Sequence, residues 1–323
     1  MSRIKGKVTL TGANKVFFTF VLLYLISQLV LLVMLVGLNI SYGPSYTKDI
    51  LEKMTYPFIL VNQYLLILLP VLIYALGKKL NFKEVFRLNK PGLVPCLLII
   101  AMSVPAYFVA LMLNTLVLYV LQFLGSIPSQ SIPVPQNIGE LMQGIFYIGI
   151  TPAICEEMMH RGLMLSAYEK RGTTKAIIFT SILFGIFHFD ITNFLGPVFL
   201  GLIISYYVVR TNSIFAGMLA HFLNNAIAEL IQYFYRSEAE TEIITITAND
   251  MLVFILYGMV SLIILSILLF LFRKYTKGRY IFRAPISNIK SDIKSVFTHW
   301  PIVSVVLLYI ATGIITILTI MVD

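Results

Sequence analysis

The chain alternates long apolar runs with short polar connections. A membrane-spanning helix needs roughly 20 mostly apolar residues. Stretches that meet this requirement run over Val16–Leu38, Phe58–Leu76, Leu93–Leu124, Leu141–Leu165, Met251–Phe272 and Pro301–Val322. Between residues 174 and 235 the pattern breaks into shorter pieces, Lys175–Phe189, Phe194–Val209 and Ile214–Tyr235. The pattern predicts an all-α fold, a polytopic membrane helical bundle of about nine transmembrane helices, with no long hydrophilic insert and no internal repeat.

Composition narrows the class further. Of the 323 residues 59% are apolar and 12% charged, whereas a soluble domain carries about 25% charged residues. That argues against a soluble domain, a disordered chain and a coiled coil. Both cysteines, Cys96 and Cys155, lie inside apolar segments, which argues against a disulfide framework or a zinc cluster.

The net charge of +9 is a statement about orientation. With the N-terminus inside, 20 of the 24 Lys and Arg residues fall on inner segments: before Val16, in Lys78–Lys90, in Lys170–Lys175, at Arg210 and in Arg273–Lys294. The outer loops hold Lys48, Lys53 and Arg236, and Arg161 lies within a span. Basic residues mark the cytoplasmic side of short loops, so the expected topology is N-in and C-out. The partners implied are a lipid bilayer with anionic headgroups and no nucleic acid. The first span is too long for a signal-peptide core and lacks a small-residue cleavage site, so it reads as an uncleaved anchor.

Candidate chemistry is concentrated in one block. A charged side chain at mid-bilayer costs about 2.5–3.5 kcal/mol on insertion scales, so each one asks for a reason. Most spans have no ionisable residue, yet residues 150–230 hold Glu156, Glu157, His160, Arg161, His188, His221 and Glu229, with Asn224 and Asn225 among them. Glu157 and Arg161 are spaced i,i+4 and can pair on one helix face, leaving Glu156 directed about 100° away. His221 and Asn225 share a stripe by the same spacing. Glu156 lies 15 residues before Arg171 and His188 lies 16 after Gly172. Across a hairpin turning at Arg171-Gly172 both therefore sit roughly 22–24 Å from the turn. His221 reaches that layer only if the hairpin projects beyond the membrane surface.

A carboxylate beside an imidazole can hold and deprotonate a water, and an imidazole with an amide can hold the oxyanion of a tetrahedral intermediate. Together they describe amide hydrolysis without a covalent intermediate. Glu156-Glu157-Met158-Met159-His160-Arg161 fits EExxxR, Phe184-Gly185-Ile186-Phe187-His188 fits FxxxH, and His221-Phe222-Leu223-Asn224-Asn225 fits HxxxN. In that order, in consecutive spans, these motifs resemble the CPBP family of intramembrane endopeptidases, which includes CAAX prenyl proteases of the Rce type and bacterial bacteriocin-processing or self-immunity proteins.

The resemblance covers about residues 140–235. It divides the chain into N-terminal transmembrane helices with a basic loop (1–135), a catalytic helical core (136–237) and two C-terminal transmembrane helices with a basic loop (238–323). It implies Glu156 as the water-activating base with His188 sharing the water, His221 and Asn225 as the oxyanion site, and Glu157 with Arg161 as a supporting pair. It also implies a conical cavity open to the cytoplasm and bilayer, no cofactor, and a membrane-associated peptide or protein substrate. Family distribution and short loops point to a multi-pass protein of a bacterial plasma membrane.

Other readings attach to the same residues. Zinc bound by His188, His221 and Glu156 or His160 is one; a second ExxH needed for a di-iron site is absent. His160 reads as a packing or entrance residue, Asn224 fits the amide role less well than Asn225, and Cys155 has no base to make it a nucleophile. Glu229 reads as structural and His299 as interfacial. At the level of function, the alternatives are a non-catalytic immunity or peptide-binding protein and, with less support, an ion- or proton-coupled transporter.

Overall fold

The computed structural model describes residues 6–128, 133–235, 243–280 and 282–322. Arg3, Lys5 and Arg236 of the charge tally, and the expected boundary at residue 237, lie outside the described residues. The fold is helical. Ten helices of more than one turn are described: α1 (Leu10–Tyr42), α2 (Pro44–Gly77), α3 (Leu93–Leu121), α4 (Ile138–Arg171), α5 (Thr173–Phe187), α6 (Leu195–Thr211), α7 (Ile214–Tyr235), α8 (Ala248–Tyr275), α9 (Ile289–Phe297) and α10 (Trp300–Val322). Seven are long and apolar enough to cross a membrane, while α5 and α6 are shorter apolar helices. These nine occupy the places of the nine predicted runs. The described strand pairing is a two-residue antiparallel ladder of Ile127–Pro128 with Ile243–Ile244.

Local chemistry sets the ends. The Thr9 hydroxyl accepts the Gly12 N–H at 3.1 Å, Asn137 accepts from Glu140 N–H at 3.0 Å, and Thr247 with Asp250 forms a reciprocal capping box, each satisfying donors orphaned at a helix start. The hairpin between α4 and α5 turns at Gly172, whose φ of +120° is open only to glycine at low strain. Residues 44–57, read from the sequence as an outer loop, are helical instead. Pro44 sits at the first helical turn, where its missing N–H has no partner to lose, and Asp49 and Lys53 pair i,i+4 at 2.7 Å.

Helices α2 and α4 are not regular throughout. Val61–Leu68, Ile145–Ile150 and Met158–Met164 are π-helical. Two of these segments precede a proline within the same helix, Pro70 and Pro152. A proline in a helix interior has no N–H for the carbonyl four residues back and its ring crowds that carbonyl. Widening the turn to i→i+5 relieves the crowding, and Thr151 N–H accordingly bonds to Phe146 O and Leu69 N–H to Tyr64 O.

One apolar core draws on all three stretches of the chain, with Phe17 and Phe20 from α1, Val71 from α2, Met159 and Leu163 from α4, Phe187 from α5, and Val305 from α10. The exposed faces of α1, α8 and α10 carry Leu29, Val33, Ile263, Phe270 and Ile315, the mark of surfaces solvated by lipid. The five basic segments assigned to the inner side meet at one end of the bundle. Gly6 N–H bonds to Lys79 O, Lys170 to Val8 O, Ile214 N–H to Arg87 O, Arg210 to Thr276 Oγ1 and Arg171 to Asp292.

Candidate active site

Glu156 and Glu157 leave the last α-helical turn before the π segment of α4 and point to different partners. Glu157 is fully buried and its Oε1 takes two bonds, from Arg161 Nη1 at 2.9 Å and with His221 Nδ1 at 2.9 Å. The expected i,i+4 pair is therefore present, and it extends to a third residue on α7. Gly217, one turn before His221, lets Glu157 approach α7, since a Cβ there would lie 2.7 Å from Glu157 Oε2. Phe184, the aromatic residue of the FxxxH motif, closes the other side. Its ring lies 4.2 Å beneath the Arg161 guanidinium and meets His160, His188 and His221 edge-on.

Glu156 takes no bond from Arg161. Its Oε1 accepts the Gln63 amide N–H at 2.8 Å, while Oε2 is buried, makes no hydrogen bond and lies 3.9 Å from His221 Nε2. His188 caps the C-terminal end of α5. Its Nδ1 bonds to the Phe184 carbonyl at 2.8 Å. Since a carbonyl only accepts, Nδ1 carries the proton and Nε2 of the neutral ring is left as an acceptor.

Glu156 and His188 line one cavity of about 170 Å³. The remaining wall comes from α1 (Phe20, Tyr24), from α2 (Ile59, Asn62, Gln63, Ile67) and from Phe187. The cavity is thus apolar with a few convergent polar groups, as binding sites generally are. His221 stands beside Glu156, the arrangement that the hairpin depths made conditional.

Asn225 is placed differently from His221. Its Nδ2 donates to Ile148 O at 2.9 Å, the carbonyl four residues before Pro152 that this proline cannot serve. Its Oδ1 accepts from Asn224 at 3.2 Å. Neither of these asparagines is among the residues lining the cavity, and nor is His221. His160 is completely buried, ringed by Phe17, Phe184 and Phe187, so it is a packing residue and lies at no entrance. Glu229 is also buried, against Gly144. His299 Nδ1 lies 3.0 Å from the Asn14 amide nitrogen. Among the described residues no group of three or more His, Cys, Asp or Glu side chains is placed to hold a metal ion.

Asn62 and Gln63 carry no ionisable group, so charge in an apolar span does not single them out. The signal was present, because two adjacent amides in an otherwise apolar span are themselves costly to bury. The buried Arg87–Glu169 ion pair, which ties the loop after α2 to the end of α4, joins residues whose spacing along the chain gives no sign of it.

The stretch that carries Glu156, His188 and His221 is matched by a known family. Residues 139–227, the stretch that carries all three motifs, match the family model described as type II CAAX prenyl endopeptidase Rce1-like. The match assigns this segment to the CPBP and CAAX protease family. No curated protein and no solved structure matches the chain. With seven helices long and apolar enough to cross a membrane, the chain is a multi-pass membrane protein, and its residues 139–227 are similar to a protease class whose members act on protein or peptide substrates.

Proposed function

We propose that the protein is a glutamate-type intramembrane endopeptidase that hydrolyses a peptide bond in a membrane-associated substrate, with Glu156 as the base. The observation that carries this reading is the Glu156 carboxylate on the wall of a cavity shared with His188, one oxygen anchored and the other unbonded. In the proposed reaction a water donates one hydrogen bond to His188 Nε2 and its other proton to Glu156 Oε2. The oxygen forms a bond to the scissile carbonyl carbon, and the C=O electron pair moves onto the carbonyl oxygen. His221, held at Nδ1 by Glu157, offers an N–H at Nε2 to that oxyanion. Asn225, which lies outside the cavity lining with one Nδ2 proton on Ile148 O, is the other donor that the family resemblance implies, through its second Nδ2 proton. Collapse of the intermediate breaks the C–N bond, and Glu156 returns its proton to the leaving amine. A preorganised donor of this kind typically contributes about 2.7–4 kcal/mol.

The substrate class proposed is a C-terminal CAAX-type tail, in keeping with the family description, and the short loops favour a bacterial plasma membrane with the basic end of the bundle facing the cytoplasm. The test is cleavage of prenylated and unprenylated C-terminal peptides by purified protein, with and without a strong chelator. Cleavage that survives chelation supports the metal-free mechanism, and its loss on chelation overturns it. Equal turnover of both peptides removes the prenyl requirement.

A further inference from the structure

The cavity wall opposite Glu156 is built by α2, which lies outside the family-matched segment 139–227. Gln63 is 92% buried there and gives its amide N–H to Glu156 Oε1 at 2.8 Å. The amide must present nitrogen to the carboxylate, since two acceptor oxygens at that distance repel. This bond, from a donor to an ionised acceptor, is of the stronger, shorter class. It occupies a lone pair on one oxygen and sets the plane of the carboxylate, so the second oxygen is the one left for proton transfer.

The same residue pair carries a second feature. Gln63 Oε1 and Asn62 Oδ1 are both buried without a hydrogen-bond partner, and both residues line the cavity. Buried carbonyl oxygens call for donors. The π-helical turn that holds them, Val61–Leu68 ahead of Pro70, brings consecutive residues 62 and 63 to the same cavity. Prenyl and acyl chains have no N–H to give, and an extended peptide backbone has one per residue other than proline.

We propose that Gln63 is the positioning residue of the Glu156 carboxylate, and that the Asn62 and Gln63 carbonyls form a wall accepting backbone N–H groups of the substrate peptide. The inference rests on the endopeptidase reading and assigns α2 a part in substrate recognition.

The experiment compares wild type, Glu156→Gln, Gln63→Met, Gln63→Asn and Asn62→Leu on one cleaved peptide and on versions N-methylated at single backbone positions flanking the scissile bond. Gln63→Met keeps side-chain volume and removes the amide, while Gln63→Asn keeps the amide on a stem one methylene shorter. The second gives an independent reading should the first fail to fold. Both are expected to lower kcat about 10–100-fold, as for a lost hydrogen bond to a charged group, and Gln63→Met, which also removes an accepting carbonyl, to raise KM as well. Asn62→Leu is expected to raise KM about tenfold with kcat preserved. N-methylation at one position should weaken binding to wild type and have no further effect on Asn62→Leu, the signature of a shared contact. Wild-type kcat in a folded Gln63 variant, or an N-methyl effect of the same size in Asn62→Leu and wild type at every position, overturns the proposal while leaving the endopeptidase reading intact. Full activity of Glu156→Gln overturns that reading itself.

Discussion

Glu157 sits at the centre of a fully buried charge cluster, where its carboxylate meets Arg161 and His221 and the guanidinium stacks on Phe184. Removing one partner of a buried ion pair leaves the other charge uncompensated, which destabilises by about 3–5 kcal/mol. Glu157→Ala is therefore expected to lower the melting temperature of the purified protein and its yield from membranes, in addition to reducing turnover. Glu156→Gln should leave both near wild type, because an amide can still receive the Gln63 N–H at its oxygen. Equal melting temperatures for Glu157→Ala and wild type would contradict this division between a supporting and a reacting glutamate. That the two glutamates take different partners was legible in the chain. The i,i+4 spacing of Glu157 and Arg161 predicts their pairing, and adjacency turns Glu156 away. His221 as a further partner of Glu157 was not legible, because it depends on Gly217 letting two helices approach and no spacing within one helix encodes that.

At the scale of elements, the prolines in α2 and α4 do more than interrupt helices. Pro152 leaves Ile148 O without its i+4 donor, and Asn225 takes that carbonyl across the helix interface. Pro152→Ala restores an N–H that competes for the same carbonyl. The expected result is a melting temperature equal to or above wild type, since interior proline costs a helix about 3 kcal/mol, with kcat/KM about tenfold lower as Asn225 is released. Unchanged kcat/KM would show that the Asn225 anchor is irrelevant to turnover. Span positions were readable from apolar periodicity, but the π segments were not. A proline in an apolar run is visible in sequence, whereas the choice between a kink and a widened turn depends on the neighbour that donates a hydrogen bond to the freed carbonyl.

A second element-scale consequence concerns α9, which docks on the α4–α5 turn through Asp292. This fully buried side chain bonds to Arg171 at 2.8 Å, to Ser287 at 2.6 Å and to Lys175. Burial alone pushes its carboxyl up, but hydrogen bonds from Lys175, Ser287 and Arg171 outweigh that and hold it at about 2, below its ordinary 3.8. Because the folded value is depressed, the stabilisation is complete above 3.8 and is lost as pH falls from there toward 2. Melting temperature measured against pH should therefore show wild type exceeding Asp292→Asn by a constant margin near neutrality. The margin should shrink in that acid window. A margin independent of pH would contradict the ionic docking.

Across the whole molecule, the family-matched segment does not enclose the site on its own. Glu156 and His188 come from residues 139–227, while Phe20, Tyr24, Ile59, Asn62, Gln63 and Ile67 close the cavity from the first two helices. The three motifs mark the candidate reacting groups in the sequence because buried ionisable residues stand out against an apolar background. The opposite wall escaped notice because its partners are neutral amides and apolar side chains. The gathering of the five basic segments at one end follows from the charge pattern, yet the Arg87–Glu169 and Asp292 contacts that bind that end together are long-range pairings that spacing does not specify. These observations support the proposal that Glu156 activates water. The most direct test is turnover of a membrane-associated peptide by purified wild type and by Glu156→Gln, with folding of both verified by thermal unfolding. The account predicts cleavage by wild type and a loss of at least about 10³-fold in kcat for a folded Glu156→Gln; cleavage by that variant at the wild-type rate would contradict it.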